Sequence, residues 1–269
     1  MLHNVVKFDK KFHPFHIVDY SPWPIYLSFS LLLTASGLLS WLNGFNSFLI
    51  FISSLLLSSF IVTLWWRDVI RESTFQGKHT IEVMNGLRLG MIMFIISEVM
   101  FFFSFFYGLF FLSLSPDSSI GLLYPPCGIE NVGFLGIPLL NSILLLSSGV
   151  TITWSHYELL SGNLSLSFKS LIITIMLGLV FLVFQYMEYK SSTFSIADSS
   201  FGSLFFMMTG FHGIHVCVGV LFIIISTLRL NFYHLNSNHH LGFEMSSWYW
   251  HFVDVVWLFL YLTLYWWLS

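Results

Sequence analysis

Charged residues make up only 9% of this chain, against roughly a quarter in a soluble domain. That is too little charge to cover a water-facing surface of 269 residues. Lysine and arginine do not outnumber the acids, and the formal net charge is −3, so nothing in the balance points to nucleic acid. Cysteine is almost absent. Cys127 and Cys217 stand far apart with no CxxC spacing, which excludes a thiolate cluster and argues against a disulfide framework. Cys217 lies in an apolar run and is expected to behave as a small core hydrophobe. Alanine is nearly missing too, at Ala35 and Ala197 alone. Alanine needs GC-containing codons, whereas the abundant Phe, Ile, Leu and Ser can be written with AT-rich ones. An AT-rich organellar genome would explain both.

What remains is hydrophobic. Apolar residues form 56% of the chain, with 31 Phe among them, and mean hydropathy is +0.81. A membrane-spanning helix needs about 20 mostly apolar residues. Seven stretches qualify, at 22–42, 47–66, 84–112, 137–157, 167–189, 200–228 and 242–267. The expected fold is therefore an all-α membrane protein with seven transmembrane helices, in a single domain covering 1–269. Residues 1–20 precede the first helix, and Lys7, Lys10 and Lys11 around Asp9 do not resemble a cleaved targeting leader. Asn43-Gly44 reads as the turn of a hairpin, and the proline- and glycine-rich gap 113–136 as an irregular aqueous loop.

The basic residues set the expected orientation. Odd-numbered spans begin on the N-terminal side, which collects Lys7, Lys10, Lys11, Arg67, Arg71, Lys78, Arg88, Lys169 and Arg229. The other side keeps Lys190, among Asp117, Glu130 and Asp198. The N-terminus should lie on the positive side.

Charged groups within a span are costly and are functional candidates by default. Glu98 lies about ten residues inward from Arg88, hence roughly 15 Å along the helix and near the midplane. Desolvation favours its protonated form. It either handles protons or is a hydrogen-bonded acid that fixes packing. His212 and His215 on the sixth span, and His251 and Asp254 on the seventh, fall at similar depths. Residues three apart share a helix face, so each pair is expected to form a local polar patch. The plainer reading is interhelical hydrogen bonding, and the sharper one is a metal or haem site. At the inner edge, residues 65–72 with Trp65, Trp66, Arg67 and Arg71, then His79, and Arg229, His234, His239, His240 and Glu244 between the last two spans gather cations beside tryptophan, which suits lipid phosphate or ordinary snorkelling.

Several segments then carry a specific resemblance: 65–77 (WWRDVIRESTFQG), 97–102 (SEVMFF), 210–215 (GFHGIH), 238–244 (NHHLGFE) and 248–260 (WYWHFVDVVWLFL). With Ser21-Pro22-Trp23-Pro24, Pro125-Pro126-x-Gly-Ile and Tyr265-Trp266-Trp267, they closely resemble subunit III of cytochrome c oxidase, mitochondrial type, in the family's order from about His13 onward. The resemblance implies a non-catalytic core subunit of respiratory complex IV in the mitochondrial inner membrane. Its N-terminus would lie in the matrix and its C-terminus in the intermembrane space. Subunit I would be its main contact, with subunit II and accessory subunits beyond. Haem and copper would sit in partner subunits and none in this chain. Helices I–II would splay from III–VII around a cleft filled with structural phospholipid. Glu98 stands at the family's buried glutamate linked to proton uptake, and His13 and His16 match inner-face histidines near the uptake surface. Trp66, Arg71, His79 and Arg229 resemble its lipid-headgroup contacts. The chain departs from the family at Phe106-Tyr107-Gly108-Leu109-Phe110-Phe111, where a tryptophan and a later histidine are common, and at Tyr157, which replaces a frequent second histidine after His156.

Other classes fare worse. A membrane di-iron oxygenase needs several HxxxH and HxxHH boxes, and this chain offers one HxxH and one HH pair. A proton-coupled transporter using Glu98 and Asp254 should carry broken helices or repeat symmetry, and neither is legible.

Overall fold

The computed structural model describes residues 14–118, 121–129 and 132–268. His13, Lys7, Lys10, Lys11 and Glu130 lie outside the described residues. Seven long α-helices follow in order: α1 (Trp23–Leu42), α2 (Phe48–Thr74), α3 (Ile81–Leu114), α4 (Ile137–Leu160), α5 (Leu164–Ser191), α6 (Ser199–Asn231) and α7 (Leu241–Leu260). A π-helical turn, Tyr261–Trp266, continues α7. The described residues contain no strand, and one isolated bridge joins Asn236 to His239.

Six of these helices, α1 to α6, are long and apolar enough to cross a membrane. The seventh expected stretch is α7. Glu244, His251 and Asp254, together with its tryptophans and tyrosine, dilute its hydropathy. Its length compensates little, but its surroundings do. Twelve of its 20 residues are buried, including Trp250, Val253, Asp254 and Trp257, so a larger share of it is enclosed by protein than of any other helix.

Helix ends outrun the apolar runs. The second stretch was expected to close at residue 66, yet α2 continues to Thr74. Arg67 pairs with Asp68 at 3.0 Å, and Arg71 lies 3.9 Å from Asp68, so charged residues extend the coil beyond the lipid-compatible segment. With 34 residues, α3 is about 50 Å long, well beyond a hydrocarbon core of about 30 Å.

The chain forms two compact units, one up to Leu87 and one from Arg88 onward. In the first, α1 packs along α2. Gly44, with φ of 83°, supplies the left-handed turn between them. Gly37 lets the helices close: a Cβ there would lie 3.1 Å from the Phe51 Cα. Trp41 covers the turn against Phe48 and Phe51.

In the second unit α4 packs on α5, α5 on α6, α6 on α7 and α7 on α4, closing a four-helix ring. Trp250 is its centre. The indole lies against Gly178 of α5 and Gly219 of α6, where an added Cβ would come within 2.8 Å of the ring in each case. Its N–H donates to Ser148 of α4 at 2.9 Å. One residue of α7 thus touches the other three helices. Trp257 repeats the bond two turns on, donating to Ser142 at 2.9 Å. α3 approaches its neighbours less closely and is held through rings, including Phe101 on Phe211 and Phe106 on Phe259.

Cys217 corrects an expectation. It is exposed, as is Cys127, and both thiols are free. The inward stripe of α6 runs through Met208, His212, Val216, Gly219 and Ile223, and Cys217 falls on the opposite side of the coil. An apolar run in a membrane helix is apolar all round, so hydropathy alone does not mark its buried face.

Candidate functional site

Glu98 of α3 meets His215 of α6. The Glu98 Oε2 and His215 Nε2 atoms are 2.9 Å apart. On its other edge the imidazole donates from Nδ1 to the Phe211 carbonyl at 2.6 Å. With Nδ1 carrying a hydrogen, the Glu98–His215 contact holds one proton between two atoms. That proton belongs either to a carboxylic acid donating to Nε2 or to an imidazolium donating to a carboxylate. Around the imidazole stand Phe102 at 5.1 Å, Phe252 at 6.2 Å, Tyr249 at 6.4 Å and Phe101 at 6.5 Å between ring centroids. Four aromatic rings thus wall the imidazole, while the carboxyl side chain keeps 23% of its surface exposed.

Of the two expected local patches, His251 and Asp254 stay within ion-pair reach, whereas His212 and His215 take different partners. His212 turns away from His215 and contacts the Val253 carbonyl of α7 at 3.2 Å, between Phe181 and Trp257. Three residues along a helix are about 60° apart around it, which is enough to send the two rings to different neighbours. His251 and Asp254 approach to 3.9 Å, an electrostatic distance rather than a hydrogen bond. Asp254 points at α4 instead, where a Cβ on Gly149 would lie 2.7 Å from its Oδ2. The four residues do not converge as axial ligands would. Among the described residues, no group of three or more His, Cys, Asp or Glu is placed to hold a metal ion.

The first unit carries its own polar end. Trp23 donates to Asp68 at 2.8 Å, tying α1 to α2. His16 Nε2 lies 2.7 Å from Glu72 Oε2, and its ring meets His79 edge-on at 5.6 Å. Lys78 pairs with Asp19. Trp66 is 58% exposed and the Arg71 side chain 64%, so both project outward from the hairpin. In the second unit Arg229 is half-buried at the end of α6. Its Nε has no hydrogen-bond partner, and Gly242 leaves room for the guanidinium, since a Cβ there would lie 2.6 Å from Nη1.

Two polar groups escaped the sequence reading. Glu188 of α5 is 1% exposed and accepts from the Tyr265 hydroxyl at 2.5 Å and from Gln185 at 3.2 Å. Asn141 of α4 continues the chain to Gln185 at 3.4 Å. The signal was Gln185-x-x-Glu188, one face of a helix, but its place near the end of the apolar run made it look interfacial. The other is the ion pair of Arg88 with Glu244, at 3.0 Å, which joins α3 to α7 across 156 residues of sequence.

The sequence model of the family "Cytochrome c oxidase subunit III" matches residues 13–269. The chain belongs to this family. It is 52% identical over 255 residues to cytochrome c oxidase subunit 3 of Pisaster ochraceus, covering 95% of this chain and 98% of the relative. The subunits 3 of Coturnix japonica and Drosophila melanogaster are each 51% identical, again over 95% of this chain and 97% of theirs. These are animal proteins, in keeping with the mitochondrial type of the family. Membership makes the chain a subunit of the complex IV oxidoreductase, cytochrome c oxidase, and sets the Glu98–His215 pair within a subunit III.

Proposed function

We propose that this subunit III supports proton uptake and stabilises the catalytic subunits without taking part in electron transfer. The observation that carries this reading is the Glu98–His215 contact, one proton shared over 2.9 Å between the apolar helices α3 and α6. Such a pair holds its shared proton with no net charge, whereas gaining or losing one leaves it charged in a poorly solvated region, so an exchanged proton must be replaced or passed on. The chemistry of electron transfer then belongs to haem and copper in partner subunits. Subunit I is the main neighbour, next to subunit II and accessory subunits. His16, and His13 beyond the described residues, belong to the surface that feeds protons inward.

The basic residues support an N-terminus in the mitochondrial matrix and a C-terminus in the intermembrane space, with α7 and its π-helical turn as the seventh crossing of the inner membrane. Phospholipid is proposed at two places. On the hairpin, exposed Trp66 and Arg71, with His79, suit a headgroup. At the end of α6, the half-buried Arg229 guanidinium, with its unpartnered Nε, suits a phosphate.

Glu98→Gln in the assembled complex tests the proton reading, because it keeps size and hydrogen bonding while removing ionisation. The expected complex retains its haems and most of its initial oxidase activity, and loses activity sooner during turnover. Loss of both electron transfer and pumping from the first turnovers would instead make Glu98 an obligatory carrier.

A further inference from the structure

His156, near the end of α4, and His240, just before α7, meet through their Nε2 atoms at 3.4 Å. The rings lie 5.4 Å apart by centroid and 64° out of plane. That separation is long for a nitrogen–nitrogen hydrogen bond. It matches the edge of a zinc coordination tetrahedron, because two nitrogens at about 2.0–2.1 Å from the ion lie about 3.3–3.4 Å apart. A second observation is independent of that distance. His240 directs Nδ1 at the Asn236 carbonyl, 3.1 Å away. An Nδ1–H donated there leaves the lone pair on Nε2, facing His156. Metal-ligating histidines are oriented by this kind of backbone bond.

The surroundings also suit a cation. Glu244 lies one helical turn beyond His240 and acts electrostatically on His156. Arg88 already holds its Oε2, so the acid contributes negative field and water would fill the remaining positions. Phe243 packs edge-on against His156 at 5.6 Å and restrains the ring. We propose that His156 and His240 form a binding site for a first-row divalent transition-metal ion, Zn²⁺ in the first instance. The ion joins the end of α4 to the start of α7. With two protein nitrogens, the site is exchangeable rather than structural. His156 moves its proton from Nε2 to Nδ1 when the ion binds, so both imidazoles stay neutral. The site is separate from the Glu98–His215 pair and does not depend on its role.

The test is ⁶⁵Zn²⁺ binding to the purified oxidase complex, in the unaltered form and with His156→Gln, His240→Gln and His239→Gln. One exchangeable zinc per complex should weaken by about tenfold or more in either of the first two variants and be unchanged in His239→Gln. Equal stoichiometry and affinity in all four forms would overturn the proposal. Should the histidine variants fail to assemble, the unaltered complex decides it. After soaking in Cd²⁺, its structure should show density bonded to both Nε2 atoms. A site left empty at Cd²⁺ concentrations that fill other sites in the complex refutes it.

Discussion

Among the described residues up to Leu87, the buried side chains are Ser30, Ser47, Ser54, Ser58 and Ser73, with Ile61 as the large apolar exception. From Arg88 onward the fully buried side chains include Trp250, Trp257, Tyr265, Phe102, Phe181, Phe201 and Phe205. The hairpin is closed by smallness. Ser30, Ser54 and Ser58 turn their hydroxyls onto carbonyls of their own helices, so each is satisfied while leaving the contact face flat. The five-helix unit is closed by large rings seated on glycine, with N–H groups pinned to serine. Lipid tails are as apolar as leucine, so burying hydrocarbon gives little drive towards association inside a bilayer. What remains is close fit and hydrogen bonding. The two regions use these in opposite proportions.

The comparison can be broken most severely at Trp250. Trp250→Ala empties the space against Gly178 and Gly219, and should cost about 3–5 kcal/mol, read as loss of assembled complex or as a lower detergent-unfolding midpoint. Trp250→Phe keeps most of the ring and forfeits the Ser148 bond, at about 1 kcal/mol. If both variants behave alike, the indole N–H rather than the ring is what matters, and the contrast with the hairpin fades.

Glu188→Leu should come next, at about 1–3 kcal/mol. It leaves the buried Tyr265 hydroxyl and Gln185 amide without their acceptor. Glu188→Gln retains a carbonyl oxygen in place and should remain near neutral in the same assay. A Gln variant as unstable as the Leu variant would assign the effect to shape.

In the hairpin, Gly37→Leu forces a side chain against the Phe51 backbone and should cost about 1–3 kcal/mol. Proteolysis between α1 and α2 would report the loosened pair. A tolerated leucine there would mean that close approach does not hold the hairpin. The smallest effect belongs to Thr34→Val, which removes the 3.2 Å contact with Ser58. An interhelical bond of this kind averages about 0.6 kcal/mol in a bilayer, so thermal melting should barely move. A large loss would show that the hairpin relies on polar pins as heavily as the five-helix unit does.

Much of this was legible along the chain. Apolar stretches long enough to cross a bilayer located the helices, though α2 runs eight residues past its expected end, because spanning is a local property summed over about 20 positions. The motifs around Glu98, His212 and Trp250 carried the family. Depth alone placed Glu98 level with four polar candidates. Only the folded chain chose His215, 117 residues away, and turned His212 to a backbone carbonyl. It also exposed Cys217, enclosed Glu188, and brought His156 to His240. Each of these depends on how a helix is rotated about its axis. Hydropathy fixes that rotation poorly when every face is apolar, and ring-into-glycine packing fixes it well. The sequence by itself therefore determined which segments cross the membrane and to which family they belong. The packing of α4 to α7 around Trp250 decided which polar groups meet.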